Sequence, residues 1–296
     1  MEINGLAEQT QMTDDLNTGG GPNLLHIFRN DPLGRENLLQ SIYFCRTLGM
    51  GLTVCLPQSR RLRINFDQGA VRLQMDNAGR TEPSSAADRV MALTRDAGLK
   101  PKIVRPQKGG MSLRDEPGKV KFISGPFDTQ DHTAKIGLGY TGKKIRPIIR
   151  VADFPVLLPS PVFKPWKSVA VLFGGSQSAV HSLRYGIQIA KRSGFPLDLF
   201  IQQERNHGYY NRKIQEAHLE MAVARHCNQR HEFAEGKFAN NLYAIPHDAL
   251  VVLGAYGHGM VKNYHFGSKM ETVLATLTNN LLVCGPKAAS RFSEIA

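Results

Sequence analysis

ALVVLGAYGHGMVKNYHFGSKMETVL, residues 249–274, sets an apolar run, a glycine-rich loop and an amphipathic segment end to end. A short apolar run stopped by glycine suits a buried strand. After the loop, Met270, Val273, Leu274 and Leu277 fall on one helical face, and Ser268 with Glu271 forms a capping box at its start. The stretch predicts a strand, a loop and a helix whose first N–H groups face back over the loop. Phosphate suits such a place. Glycines let the backbone approach closely, free N–H groups donate to oxygens, and the helix N-terminus carries roughly half a positive charge. His258 and Lys262 bring side-chain charge. Ordinary turn glycines and a capping serine account for the same residues without a ligand, so spacing alone leaves both readings open.

Outward from this stretch the chain alternates between two periods. SVAVLF (168–173) reads as a strand, Ser176 caps a helix with Val180, Leu183, Ile187 and Ala190 on its apolar face, Gly194 closes it, and LDLFI (197–201) is the next strand. Residues 209–226 read as a helix, HEFAEG (231–236) as a short strand, 238–245 as a short helix, 268–279 as a helix and LLVCG (281–285) as the last strand. Strands alternating with helices predict a doubly wound sheet, with its ligand crevice beyond the carboxyl ends of the strands.

The first half is written the same way. NLLHIF (23–28) is a strand, Leu38, Ile42, Cys45 and Leu48 mark a helix ended by Gly49, and GLTVCLP (51–57) is a second strand. Phe28, Gly49 and Leu52 correspond to Phe173, Gly194 and Leu197 at an offset of 145, and residues 141–159 correspond to 266–284 at an offset of 125. A repeat of domain size follows. The difference in offset predicts an insertion in the first half, within 57–82 or after Pro101. PSPVFKPWK (159–167), with three prolines, reads as a linker.

Composition restricts the function classes. The formal charge is +12 and the pI about 9.7, which calls for an anionic partner without naming one. Residues 101–150 hold eleven Lys and Arg against four acids. That stretch has few aromatics, several Gly and Pro, and no nucleic-acid-binding signature, so it reads as a solvated basic face and nucleic acid is not expected. Cys45, Cys55, Cys227 and Cys284 form no CxxC pair, and the histidines show no ligand spacing, so no metal centre is expected. No apolar run reaches a membrane span and residues 1–22 lack a secretory apolar region; the sequence predicts a disordered tail there and a cytoplasmic address. Gly137, Gly142 and Lys143 imitate a P-loop, but Lys144 stands where Ser or Thr must meet magnesium, and Gly142 is the repeat counterpart of Gly267.

Gly254, two residues, Gly257, nine residues, Gly267 and then Ser268 reproduce the G-2x-G-9x-G(S/T) signature of the nucleotide-binding branch of the universal stress protein family. Residues 167–286 resemble that family closely and the first half in outline, so the whole chain looks like a tandem member. The resemblance implies two tandem doubly wound α/β domains, each a five-stranded parallel sheet of order 3-2-1-4-5 flanked by helices. Their expected bounds are 23–160 and 168–288, with a linker at 161–167 and tails at 1–22 and 289–296. It implies ATP or another adenine nucleotide, with or without Mg, in the second half. Gly254, Gly257, Gly267 and Ser268 would meet phosphate and ribose, with His258 and Lys269 beside them, and the adenine would lie near Phe173, Gly174 and Ile201. It also implies that the halves pair with each other or within a homodimer.

Two departures from the family pattern bear on this. Many members place an Asp in a DGS turn after the first strand, where this chain has Gly174, Gly175 and Ser176. In the first half, VKFISG (120–125) is followed by no matching glycine pair, so that half is expected to be a degenerate, structural partner. No residue stands out as a general base. The expectation is a stress-response or regulatory binding module with at most slow ATP hydrolysis. The alternative is an interaction protein that binds no nucleotide and docks an acidic partner through its basic face.

Overall fold

The computed structural model describes residues 21–29, 33–57, 62–67, 70–75, 83–106, 111–112, 120–125, 145–206, 208–255 and 268–288. The chain divides into two compact units, 1–125 and 126–294.

In the first unit, β1 (Asn23–Ile27), α1 (Gly34–Leu48) and β2 (Gly51–Cys55) form the expected strand, helix, strand sequence. The apolar face of α1 is buried through Leu38, Ile42, Cys45 and Leu48, and Gly49 ends it in the left-handed region at φ 60°. Next come β3 (Leu62–Asp67), β4 (Ala70–Met75), α2 (Pro83–Asp96), β5 (Lys102–Val104), β6 (Met111–Ser112) and β7 (Val120–Ser124). β1, β2, β5 and β7 pair in parallel in the order β5-β2-β1-β7. β3, β4 and β6 make a separate antiparallel sheet. The β3–β4 hairpin lies within 57–82, where the unequal offsets call for extra chain.

The second unit opens with α3 (Ile145–Val151), β8 (Val156–Leu158), β9 (Ser168–Leu172), α4 (Gln177–Ser193) and β10 (Leu197–Gln202). It continues with α5 (Tyr209–Glu216), α6 (Glu220–His226), β11 (Cys227–Phe233), α7 (Phe238–Asn241) and a 3-10 turn at Leu242–Ala244. β12 (Ala249–Gly254), α8 (Ser268–Thr276) and β13 (Leu281–Cys284) complete it. The parallel strands run in the order β11-β10-β9-β12-β13, which is the 3-2-1-4-5 expected of a doubly wound sheet. β8 lies antiparallel to β13 with Leu157 opposite Leu282. Those two leucines are related by the 125-residue repeat offset, so equivalent positions face each other.

The structure differs from the sequence reading at β11, which runs Cys227–Phe233 rather than 231–236, and at two helices. The helix expected over 209–226 is broken. Leu219 N–H bonds the Ile214 carbonyl, His218 N–H bonds that of Gln215, and His218 sits at φ 54°, the paired pattern that ends a helix with a left-handed residue. Arg184 takes the freed Ala217 carbonyl at 2.7 Å. α8 stops at Thr276 rather than Asn279, because both asparagine amides are engaged outside the helix. Asn279 Nδ2 donates to the carbonyls of Pro246, His247 and Ala249, and Asn280 accepts from Ser160 N–H and donates to the Lys164 carbonyl. The second pair of bonds fixes the proline-rich stretch that reads as a linker. Trp166 there is 2% exposed, edge-on to Phe195 at 5.2 Å.

The two units solve the same packing problem differently. In the second, α4 lies so close to β9 that a Cβ on Gly186 would come 2.3 Å from Val171 Cγ2. At the 145 offset the first unit has Ser41 and His26, whose Oγ and Nδ1 are 2.9 Å apart. Ser41 Oγ in turn donates to Ser124 Oγ at 2.9 Å, which leaves Nδ1 as the donor on the imidazole. His26 is fully buried, Nε2 has no partner among the described residues, and burial pushes its pKa down to about 3.

As pH falls through 6.5 the unfolded chain takes up a proton at His26, whereas the folded chain refuses it until about pH 3. The folded state therefore loses up to about 1.4 kcal/mol per pH unit across that window. His26→Val with Ser41→Gly and Ser124→Val copies Val171, Gly186 and its strand neighbour Val252. Thermal melts between pH 8 and 4 are expected to show a shallower loss of Tm for this variant than for the wild type, and equal slopes would remove His26 as the cause.

Candidate functional site

A cleft of about 360 Å³ opens in the second unit, beyond the carboxyl ends of β9, β10 and β12. That is the crevice position for a doubly wound sheet, and the volume falls in the range of small-molecule sites. Its inner surface is apolar. Phe173 follows β9, Ile201 lies in β10, Leu242 and Ile245 come from the turn before β12, and Val273 from α8, all of them buried. The rim is polar, with Gln202, Glu204, Arg205, Asn241 and Lys269.

Several contacts hold that rim in place. Tyr210, 5% exposed, donates its hydroxyl to the Gln202 carbonyl at 2.7 Å and accepts the Glu204 N–H at 2.9 Å. Asn241 donates to Gln202 Oε1 at 2.8 Å and to the Glu235 carbonyl at 3.0 Å. Gln202 Nε2 reaches the Phe233 carbonyl at 3.3 Å. The end of β10 is thus fixed from both sides. NHGYY (206–210) reads from sequence either as a cover over a ligand or as a polar turn opening a helix. Tyr210 lines the cleft wall, while Tyr209 lies against Gly175, where a Cβ would meet its ring carbon at 2.6 Å.

The turn after β9 carries two unlike glycines. Gly175 has φ +74° and is covered by Tyr209, so it must be glycine; a Cβ on Gly174 would meet nothing within 4 Å. Gly174 lines the cleft, with room there for a side chain. Ser176 then caps α4, accepting the Ala179 N–H at 3.2 Å.

Gly254 lines the cleft too, and its backbone is pressed against the first turn of α4. A Cβ there would lie 2.5 Å from the Ser178 carbonyl carbon and 2.6 Å from Ala179 N. Packing alone therefore requires glycine at this position, whatever binds in the loop beyond it. At the other side of the cleft Ser268 begins α8, and Lys269, Met270 and Val273 line the wall. Lys269 pairs with Glu204 at 2.5 Å and its ammonium lies 5.4 Å from the Phe238 ring centre.

Of the site residues expected from sequence, Phe173, Gly174, Gly254 and Lys269 meet at one cleft, and Ser268 opens the helix beside it. Gly257, His258 and Gly267 lie outside the described residues, as do Lys262 and the P-loop imitation at Gly137, Gly142, Lys143 and Lys144. Glu204, Arg205 and Asn241 were not legible as rim residues, because none belongs to a spaced motif, whereas Tyr210 falls in the NHGYY stretch that the sequence offers as a cover over a ligand. Burial raises the Cys55 thiol to about 12 and also raises those of Cys45 and Cys284, which keeps them from acting as nucleophiles. Among the described residues no cluster of His, Cys, Asp and Glu is placed to hold a metal ion. No helix among them is long and apolar enough to cross a membrane.

No protein-family model and no curated protein matches the sequence. Solved structures do resemble it. A universal stress protein from Archaeoglobus fulgidus DSM 4304 superposes with a TM-score of 0.56 at 15% identity, covering 89% of this chain and 98% of the other. A putative universal stress protein from Pseudomonas aeruginosa UCBPP-PA14 gives 0.55 at 14%, covering 92% and 95%. The cytoplasmic domain of a prokaryotic cation chloride cotransporter gives 0.53 at 10%, covering 93% and 100%. The chain has the universal stress protein fold, and at these identities the likeness is one of fold.

Gly254→Ala is expected to destabilise the protein by about 1–3 kcal/mol, the usual cost of forcing a group into packed backbone, whereas Gly174→Ala should leave Tm nearly unchanged. Urea melts of the two variants check this, and a Gly254→Ala protein as stable as the wild type would show that α4 can withdraw from β12.

Proposed function

We propose that the second unit binds an adenine nucleotide in this cleft, and that the chain is a cytoplasmic stress-response or regulatory module. The carrying observation is the cleft itself: an apolar interior beyond three parallel strands, with the N-terminus of α8 at its rim. A base packs against Phe173 and Ile201, while phosphate lies toward the first N–H groups of α8 and Lys269. The glycine spacing 254, 257, 267 followed by Ser268 supports the same orientation. ATP is the form that the spacing suggests, with Mg on its phosphates where three are present. Binding acts by favouring one arrangement of the protein over another rather than by turnover. The domains taken as repeats are 23–160 and 168–288, joined at 161–167, with tails at 1–22 and 289–296, and they pair with each other or in a homodimer. The first lacks the spacing, so one site per chain is proposed.

Isothermal titration with ATP, ADP and AMP tests this. At least one should bind the wild type, and Gly174→Trp, which fills the mouth from a position free of neighbours, should abolish the heat. Gly174→Asp restores the family carboxylate, and a hydrogen bond to a charged group contributes about 1.5–3 kcal/mol, so affinity should rise by roughly tenfold or more. Null titrations for all three proteins would dismiss the nucleotide.

A further inference from the structure

Among the described residues that line the cleft Lys269 is the one lysine, and it is already engaged with an anion of the protein. Its ammonium is 2.5 Å from the Glu204 carboxylate, so the pair spans from the end of β10 to the first turn of α8. Glu204 cannot drift away from this position as a whole residue, since its backbone N–H is bonded to the hydroxyl of buried Tyr210. Both side chains remain about half in water, at 45% and 54% exposure. An ion pair of that kind holds by no more than about fivefold in population, so an incoming anion can break it. Phe238, beneath the ammonium at 5.4 Å, keeps Lys269 over the cleft once Glu204 is displaced.

We propose that Glu204 is a resident competitor for the phosphate: it holds Lys269 until a ligand anion takes the ammonium, and its own charge then works against each further phosphate of a nucleotide that carries no divalent cation. This deepens the nucleotide reading above and rests on it for the ligand class. A carboxylate cannot leave the rim when displaced, so it faces the anion that replaced it. Repulsion grows with the ligand's charge and is screened by salt over about 10 Å at 0.1 M. AMP meets less of it than ATP does, and a divalent cation on ATP lifts part of it.

The test is titration of wild type and Glu204→Gln with AMP, ATP and inorganic tripolyphosphate, in EDTA, at low and high salt. Glu204 is exposed, so the variant is expected to fold, and melting temperature verifies this. Removing the carboxylate should tighten AMP by up to about fivefold and ATP by more, with the difference shrinking in high salt. Unchanged or weaker binding by Glu204→Gln overturns the proposal, and an equal gain for AMP and ATP overturns the charge preference. If neither protein binds AMP or ATP but tripolyphosphate binds the variant more tightly, the nucleotide reading fails while the competitor stands. No binding of any of the three to either protein overturns both.

Discussion

The second unit depends on how closely α4 can approach the strands beneath it. At Gly254 the helix backbone sits where a Cβ would lie, 2.5 Å from the Ser178 carbonyl carbon, and at Gly186 the helix repeats this against Val171. Two glycines, one on the strand and one on the helix, thus lower α4 onto β9 and β12. With α4 at that depth its first turn, capped by Ser176, forms one wall of the cleft through Ala179. A bulkier residue at either glycine raises the helix and shifts that wall. The cleft is therefore a consequence of packing before it is a feature of binding.

In the first unit the same junction holds a polar chain instead. His26, Ser41 and Ser124 stand where the second unit has Val171, Gly186 and Val252. A hydrogen bond there replaces close approach of the helix to an aliphatic side chain, and burial keeps the imidazole that makes it neutral. The exchange puts a buried titratable group in one unit where the other has aliphatic side chains. Repeated halves that keep a topology need not keep its packing chemistry.

Much of this was legible because the fold is written in periods. Leu38, Ile42, Cys45 and Leu48 announced α1, and Gly49 and Gly194 announced helix ends that are left-handed in the structure. The constant offsets announced the repeat and the extra chain that β3 and β4 supply. The failures were local. His218 adopts φ 54° against the ordinary preference of its residue type, and the break shows in the backbone bonds of His218 and Leu219 and in the Arg184 contact with the Ala217 carbonyl. Asn279 looks like helix continuation until its amide partners, the carbonyls of Pro246, His247 and Ala249, are known. At the site, the glycine spacing marked the strand end and the helix start correctly, yet it hid why Gly254 is there. Glu204, Tyr210 and Asn241 converge from three elements, and no linear pattern joins them.

Charge gives the same lesson about where function resides. The chain carries +12, with eleven cations against four acids in 101–150 alone. Among the described residues that line the cleft, the cations are Arg205 and Lys269 and the carboxylate is Glu204. The described lining therefore carries little of the excess charge of the sequence. The described wall presents the start of α8, one pre-engaged lysine and an apolar interior, features that act over short range beside the longer-range field of the chain. A shared fold fixes the position of such a cleft, whereas the few side chains on its rim decide what enters.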